Sequence, residues 1–338
     1  MRRILFLAAV TLSTAAWQAA SAQDAGPVKV TVDNYVRAES NANMAGYVER
    51  GAFGQWVHSR EMVDVDNQIV IRSNVDTLYS FLIVDLTTPA TIVLPDPDDR
   101  FQSLECVSEE HSIPPTVYGP GFFEYTREMM GTRYAFCIIR TFADPNDPDD
   151  IAAAHALQDQ VGLEQANPGE FSIPNWDQDS LTSLRENLQS VAQTRASTSG
   201  YFGIKENLNQ LYWILGAAAG WGGNPEEAAI YALGSVENND GNTPYVLTVP
   251  SDVPVDAFWS VTLYDAKGYL PKNESGVYSF NSVTATPNDD RSFTVTFGGD
   301  GPNNFELVEG WNYAVRMYRP KQELIEGRWR FPEAVPIE

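Results

Sequence analysis

Basic residues are scarce in this sequence. Lys and Arg number 22 against 45 Asp and Glu, for a net charge of −23. Surfaces that bind nucleic acid or anionic lipid are basic, so both partners are disfavoured. Histidine occurs only as His58, His111 and His155, and no two stand at metal-ligand spacing. Cysteine occurs only as Cys106 and Cys137. That supply makes no thiolate–imidazole site, and no metal ligand is assigned. No glycine-rich loop opens a helix after a strand, since Gly220-Trp-Gly-Gly223 joins two helical stretches. Nucleotide binding is therefore disfavoured, and no cofactor is expected. A Gly-x-Ser-x-Gly elbow is missing too. The acidic runs Asp96–Asp99, Asp144–Asp150 and Asn288–Asp290 lack calcium-loop spacing and read as turns and helix caps.

Long apolar runs are missing with one exception. Ile4 to Ala16 follows Arg2 and Arg3 and precedes Ala20-Ser-Ala22. The run is shorter than the ~20 residues of a spanning helix. The three parts in this order predict a signal peptide over residues 1–22, cleaved after Ala22. The expectation is a periplasmic or secreted protein without a membrane anchor. In an oxidising compartment two cysteines invite a disulfide, and burial as plain thiols is the alternative. Whether the strands carrying Cys106 and Cys137 are neighbours decides between them.

What is present is β-rich. A leader is expected over 23–33, then a helix to about Gly51 capped by Asp33. Strands are predicted at Ile69–Ile71, Leu78–Leu86, Thr91–Leu94, Phe101–Val107, Thr116–Tyr118 and Tyr134–Phe142, with turn clusters between them. Helices follow at Ile151–Gln165, Ser180–Thr194, Glu206–Ala219 and from Pro225 to Ser235. Strands return at Tyr245–Val249, Ala257–Tyr264, Val277–Phe280, Ser292–Phe297 and Tyr313–Tyr318. In the first part of that return, Phe258, Ser260, Thr262 and Tyr264 face one way, and Trp259, Val261 and Leu263 the other. The fold class is mainly β with a helical middle: two antiparallel β-sandwich or jelly-roll-like modules bridged by helices. The N-terminal module spans 34–165, the helical connector 166–240 and the C-terminal module 241–338.

The candidate site begins at a polar knot. Arg72, Ser73, Asn74, Asp76 and Thr77 sit between two apolar runs. They form either a tight turn or a site with Asn74, Asp76 and Tyr79 aimed into a pocket. For catalysis, His58 or His111 is the candidate base, with Asp76 and Tyr79 beside it. Glu109 and Glu110 next to His111 would raise its pKa. For binding, Asn74 would line one wall. Aromatics such as Trp221, Tyr231, Trp259 and Tyr264, with Arg316, would line the other, a mixture that suits sugars.

The motifs resemble a known pair of modules. His58, Asn74-Val-Asp-Thr-Leu-Tyr-Ser80 and Gly119-Pro-Gly121 resemble the domain of unknown function numbered 1254. Ala228–Tyr231, Asp240-Gly241, Phe258–Asp265, Asn273, Arg316-Met-Tyr-Arg-Pro320 and Gly327-Arg-Trp329 resemble the domain numbered 1214. Where relatives tend to carry an Asn-Trp-Leu-Pro-like segment, this chain reads Glu306-Leu-Val-Glu-Gly-Trp311. The resemblance implies two β-sandwich modules with helices between them, and no established chemistry. Three functional readings stand. The first is a binder of a small molecule or carbohydrate in a cleft between the modules. The second is a cofactor-independent hydrolase or lyase, and the third a jelly-roll assembly subunit that self-associates.

Overall fold

The structure, a computed structural model, describes residues 26–68, 71–195 and 197–337. The expected signal segment and most of the expected strand at Ile69–Ile71 lie outside these residues. Ile71 itself stands in a turn, 56% exposed.

The first module has strands β1 (Val57–His58), β2 (Thr77–Asp85), β3 (Ala90–Leu94), β4 (Gln102–Ser108), β5 (Val117–Tyr118), β6 (Gly121–Tyr125), β7 (Tyr134–Phe142) and β8 (Gly162–Gln165). One sheet has the order β1-β2-β7-β4-β5 and a smaller one β6-β3-β8. Side chains alternate across the large sheet. Leu82, Val84, Leu104, Cys137 and Ile139 face the small sheet and make one core. Ile83, Val107, Phe136 and Ile138 face the other way. There lie three helices, α1 (Tyr35–Glu49), α4 (Gln178–Ala192) and α5 (Gln210–Gly220). Both faces are therefore covered, and every residue of β4 and β7 is buried. Short helices α2 (Arg127–Met130) and α3 (Pro148–Gln158) complete the module. Asp147 caps α3 through the Asp149 and Asp150 amides, so that acidic run is a helix cap, as expected.

The second module has β9 (Ala229–Gly234), β10 (Tyr245–Val249), β11 (Trp259–Tyr264), β12 (Ser279–Asn281), β13 (Phe293–Phe297), β14 (Asn304–Phe305), β15 (Asn312–Tyr318) and β16 (Val335–Pro336), with α6 (Gln322–Ile325). Its sheets run β14-β13-β10-β16 and β12-β11-β15-β9. All pairings are antiparallel except the short β13–β14 pair. Trp259, Val261, Leu263, Tyr313, Val315 and Met317 fill the core between them. Both modules are β-sandwiches, and the mainly β class with helices in the middle holds.

Several boundaries differ from expectation, each for a local reason. The helix read to Gln165 stops at Gln158, and Gly162–Gln165 becomes β8, paired with β3. The helix read from Pro225 to Ser235 is a single turn followed by β9, which pairs with β15 from Tyr318 to Tyr313. Ala and Leu favour a helix there, but the open edge of β15 overrides that weak preference. The second module thus begins before residue 241. Asn34, not Asp33, stands at the start of α1. Residues of the expected leader are packed: Val30 is buried, and Val28 bridges to Trp176. The helices of the middle region cover the first module's sheet with α1 rather than spanning a gap.

Cys106 and Cys137 face each other directly on β4 and β7 and form a disulfide. It closes a loop of 31 residues. The Cys106→Ala, Cys137→Ala double variant should lose about 3–4 kcal/mol of unfolding free energy, the loop-closure entropy restored to the unfolded chain. Urea unfolding under non-reducing conditions checks this; an unchanged midpoint would show the bridge to be thermodynamically idle.

Candidate binding site at the module boundary

The polar knot is the seam between the modules. The Arg72 amide donates to the Gly268 carbonyl at 2.7 Å, and its guanidinium to Asn312 Oδ1 at 2.9 Å. Gln68 exchanges two hydrogen bonds with the Leu270 backbone. Arg316 Nη2 donates to the carbonyls of Arg72 (2.7 Å) and Ser73 (3.3 Å) and to the Tyr264 hydroxyl (2.7 Å). Tyr264 passes its own proton to the Ser73 carbonyl at 2.7 Å. Asp76 Oδ1 accepts from Ser279 Oγ and Asn281 Nδ2. Asn74 Nδ2 donates to Thr77 Oγ1 and to the hydroxyls of Tyr79 and Tyr318, both at 3.1 Å. Its Oδ1 accepts the Asp76 amide, which is the turn reading. Turn and inter-module contact are both present. Burial works against the Arg316 charge, but Tyr264, Tyr318 and Asp76 outweigh it and hold the guanidinium pKa above its usual value.

Strand register explains how these groups meet. Across the large sheet, Tyr118, Ser103, Arg140 and Tyr79 stand in one row on β5, β4, β7 and β2. Across the second module, Asn281, Ser260, Arg316 and Tyr231 stand in another on β12, β11, β15 and β9. Directly opposite residues share a face. Glu105, two residues along from Ser103, joins the first face and is fully buried. Its nearest counter-charge is Arg140, Nη1 to Oε2 3.6 Å. Burial pushes the Glu105 carboxyl up to about 7, only partly offset by Arg140.

A cleft of about 530 Å³ opens at the same boundary. Phe101, Tyr118 and Phe142 come from the first module, Phe258 and Arg319 from the second. Phe101 packs against Phe258 and Tyr318 at 5.3 Å between ring centroids. Arg319 holds a left-handed φ of 51°, sparsely populated for a non-glycine residue. Its exposed guanidinium stands 4.6 Å above the Tyr118 ring. Arg100 makes a two-point pair with Asp150 on the rim. Tyr118 also borders a second, more apolar hollow of about 450 Å³ with Phe202, Ile204 and Pro225. Burial pushes its phenol up to about 12, against the pull of Arg319.

The expected site residues divide. Asn74, Asp76, Tyr79, Tyr264 and Arg316 come together, with Tyr231 one strand from Arg316, but as an interior network beside the cleft. The cleft's own aromatics are others. Trp259 lies on the core face of β11, against Phe293 and Phe331, and lines no cleft wall. Trp221 packs on Phe136 and donates to Ser40 Oγ. His58 Nδ1 is 2.7 Å from Ser80 Oγ, but Ser80 is fully buried inside β2 and also takes Gln158. Ser80 is closed to solvent, while His58 is half-buried. His111 is fully buried, and Nε2 accepts the Gly222 amide at 3.0 Å. The expected rise in its pKa is corrected. Burial lowers it to about 3, because Glu110 turns to Arg37 and Lys205, and Glu109 to Asn41 and the Tyr134 amide. Neither histidine meets Asp76. Among the described residues no three His, Cys, Asp or Glu side chains group at metal-binding geometry.

Comparison with known proteins agrees with the module pair. Residues 53–110 match the family described as protein of unknown function DUF1254. Residues 229–322 match protein of unknown function DUF1214. Two solved structures share the fold. The VPA0106 protein of Vibrio parahaemolyticus is 16% identical with a TM-score of 0.66, over 91% of this chain and 98% of that one. An uncharacterised protein of Burkholderia cenocepacia is 13% identical with a TM-score of 0.51, over 90% of this chain and 88% of that one. No curated protein matches the sequence.

Two measurements test the site's physics. Arg316→Met leaves the Arg72 and Ser73 carbonyls and Asp76 without their buried cation, and should cost about 3–5 kcal/mol; a loss below ~1 kcal/mol would mean that the seam is carried elsewhere. For His111, the unfolded ring titrates near 6.5 and the folded one near 3. Its contribution to stability is present above the unfolded value and is lost as pH falls through that window. His111→Asn should therefore lose less stability than wild type between pH ~7.5 and ~5, by about 2 kcal/mol. Parallel urea midpoints for the two proteins would disprove the assignment.

Proposed function

We propose that this is an exported binding protein that holds a small amphipathic molecule or carbohydrate in the cleft between its two β modules. The observation that carries the reading is Arg319. A left-handed backbone at a non-glycine residue is costly, and here it holds a guanidinium over Tyr118 at the mouth of a cleft shared by both modules. A cleft of about 530 Å³ falls within the range of small-molecule sites. Aromatic faces beside a few polar groups suit ligands with one apolar and one polar side. Export is supported by the Arg2-Arg3 start, the apolar run and the small residues before Gln23. The disulfide is in keeping with an oxidising compartment.

Arg319→Asn tests the cleft, since Asn tolerates the left-handed region and removes the guanidinium. Wild type screened by thermal shift against small amphipathic molecules, cellobiose, maltose and phenyl glucoside should show hits. At 100-fold excess over Kd a ligand adds about 2.7 kcal/mol to stability. Those hits should bind Arg319→Asn at least tenfold more weakly, while Leu233→Glu, on the exposed edge of β9, binds like wild type. Hits indifferent to Arg319→Asn, or no hits, would remove the cleft from the proposal.

A further inference from the structure

Two strands in from Tyr118 lies a cluster of buried polar groups that the fold leaves partly unpartnered. Arg140 is 5% exposed and Glu105 fully buried, yet they stand 3.6 Å apart, too far for a hydrogen bond. Arg140 Nη1 and both Glu105 carboxylate oxygens have no hydrogen-bond partner. Across the boundary, Asp76 Oδ2 and Ser260 Oγ are likewise unpartnered. Leaving buried charged groups unsatisfied costs several kcal/mol, so these atoms mark a place built for something polar. Three phenols stand around them. Tyr79 and Tyr318 share the two Asn74 amide hydrogens with Thr77, and Tyr231 accepts one from Asn224 at 2.6 Å. Each keeps its own O–H to donate.

The chemistry of these groups selects a ligand class. Donors and acceptors alternate, and each guanidinium is matched by one carboxyl, Arg140 by Glu105 and Arg316 by Asp76. A group that donates to Glu105 while accepting from Arg140 is a hydroxyl. An anion would meet Glu105 and Asp76, and a cation Arg140 and Arg316. The separation is set by register: Tyr118, in the cleft wall, is two strands from Arg140, about 10 Å, and Ser103 between them is the smallest side chain of the row. We propose that Glu105 and Arg140 form an inner subsite for the hydroxyl groups of a neutral, polyhydroxylated ligand of about disaccharide length, whose outer end lies between Tyr118, Phe258 and Arg319. This rests on the cleft reading above and names its ligand class.

The test uses the full mature chain and three probes: cellobiose, phenyl β-glucoside and phenyl β-glucuronide. Neutral probes should bind wild type, and the glucuronide, matched but anionic, at least tenfold more weakly. Glu105→Gln should weaken phenyl β-glucoside at least tenfold. Because that change strands the Arg140 charge, Glu105→Gln with Arg140→Gln is run beside it. That doubly neutral variant should fold and bind equally poorly. The inner subsite is overturned if the glucuronide binds as well as the glucoside, if both variants bind like wild type, or if no neutral probe binds. Ligands that depend on Arg319 but not on Glu105 would preserve the cleft and remove only the inner subsite. No Arg319-dependent ligand of any kind would remove both.

Discussion

The guanidinium of Arg316 is the constraint on which the molecule's shape depends. It rises from the centre of the second module's outer sheet and grips two successive carbonyls of the first module's Arg72–Ser73 backbone. Buried carbonyls need donors, and a buried cation needs acceptors. Each side satisfies the other, with Tyr264 closing the triangle. Once that contact is made, Asn74 must meet Tyr318, and Asp76 must meet Ser279 and Asn281. The cleft lies where apolar rings take over from this polar contact.

The large sheet has two kinds of cover on one face. Helices lie over Ile83, Phe136 and Val107, while the second module lies over Phe142 and Phe101. Arg140 and Glu105 stand on the line between the two covers. Neither cover supplies a full set of partners there, because each is shaped to its own apolar area. A boundary between two packed bodies is where polar atoms are hardest to satisfy, and also where a ligand can reach them.

Much of this was legible beforehand, and the misses have causes. Alternation along Phe258–Asp265 assigned the outer and inner faces of β11 correctly. It already set Trp259 apart from Tyr264, so placing both in one wall contradicted the alternation. The knot at Arg72–Thr77 stood out because five polar side chains rarely sit beside core strands without partners. What they partner was invisible, since the other half of each bond lies some 200 residues away, as in Asp76 with Ser279. Glu105 and Arg140 did leave a signal: each is the single charge in a strand that is buried throughout. Their meeting depended on the register of β4 against β7. β9 was hidden because its alanines and leucine suit a helix as well as an edge strand.

Because Arg316 and Asp76 each bond across to the opposite module, parting the two like jaws would break all of these buried hydrogen bonds together. What can move at the boundary without breaking them is the individual exposed side chain. The exposed arm of Arg319, perched on Tyr118, is such a side chain. Rotamer motion of this sort runs on the nanosecond scale rather than the micro- to millisecond scale of hinged lobes. The motion at this edge of the boundary is therefore that of one side chain, while the two modules stay joined.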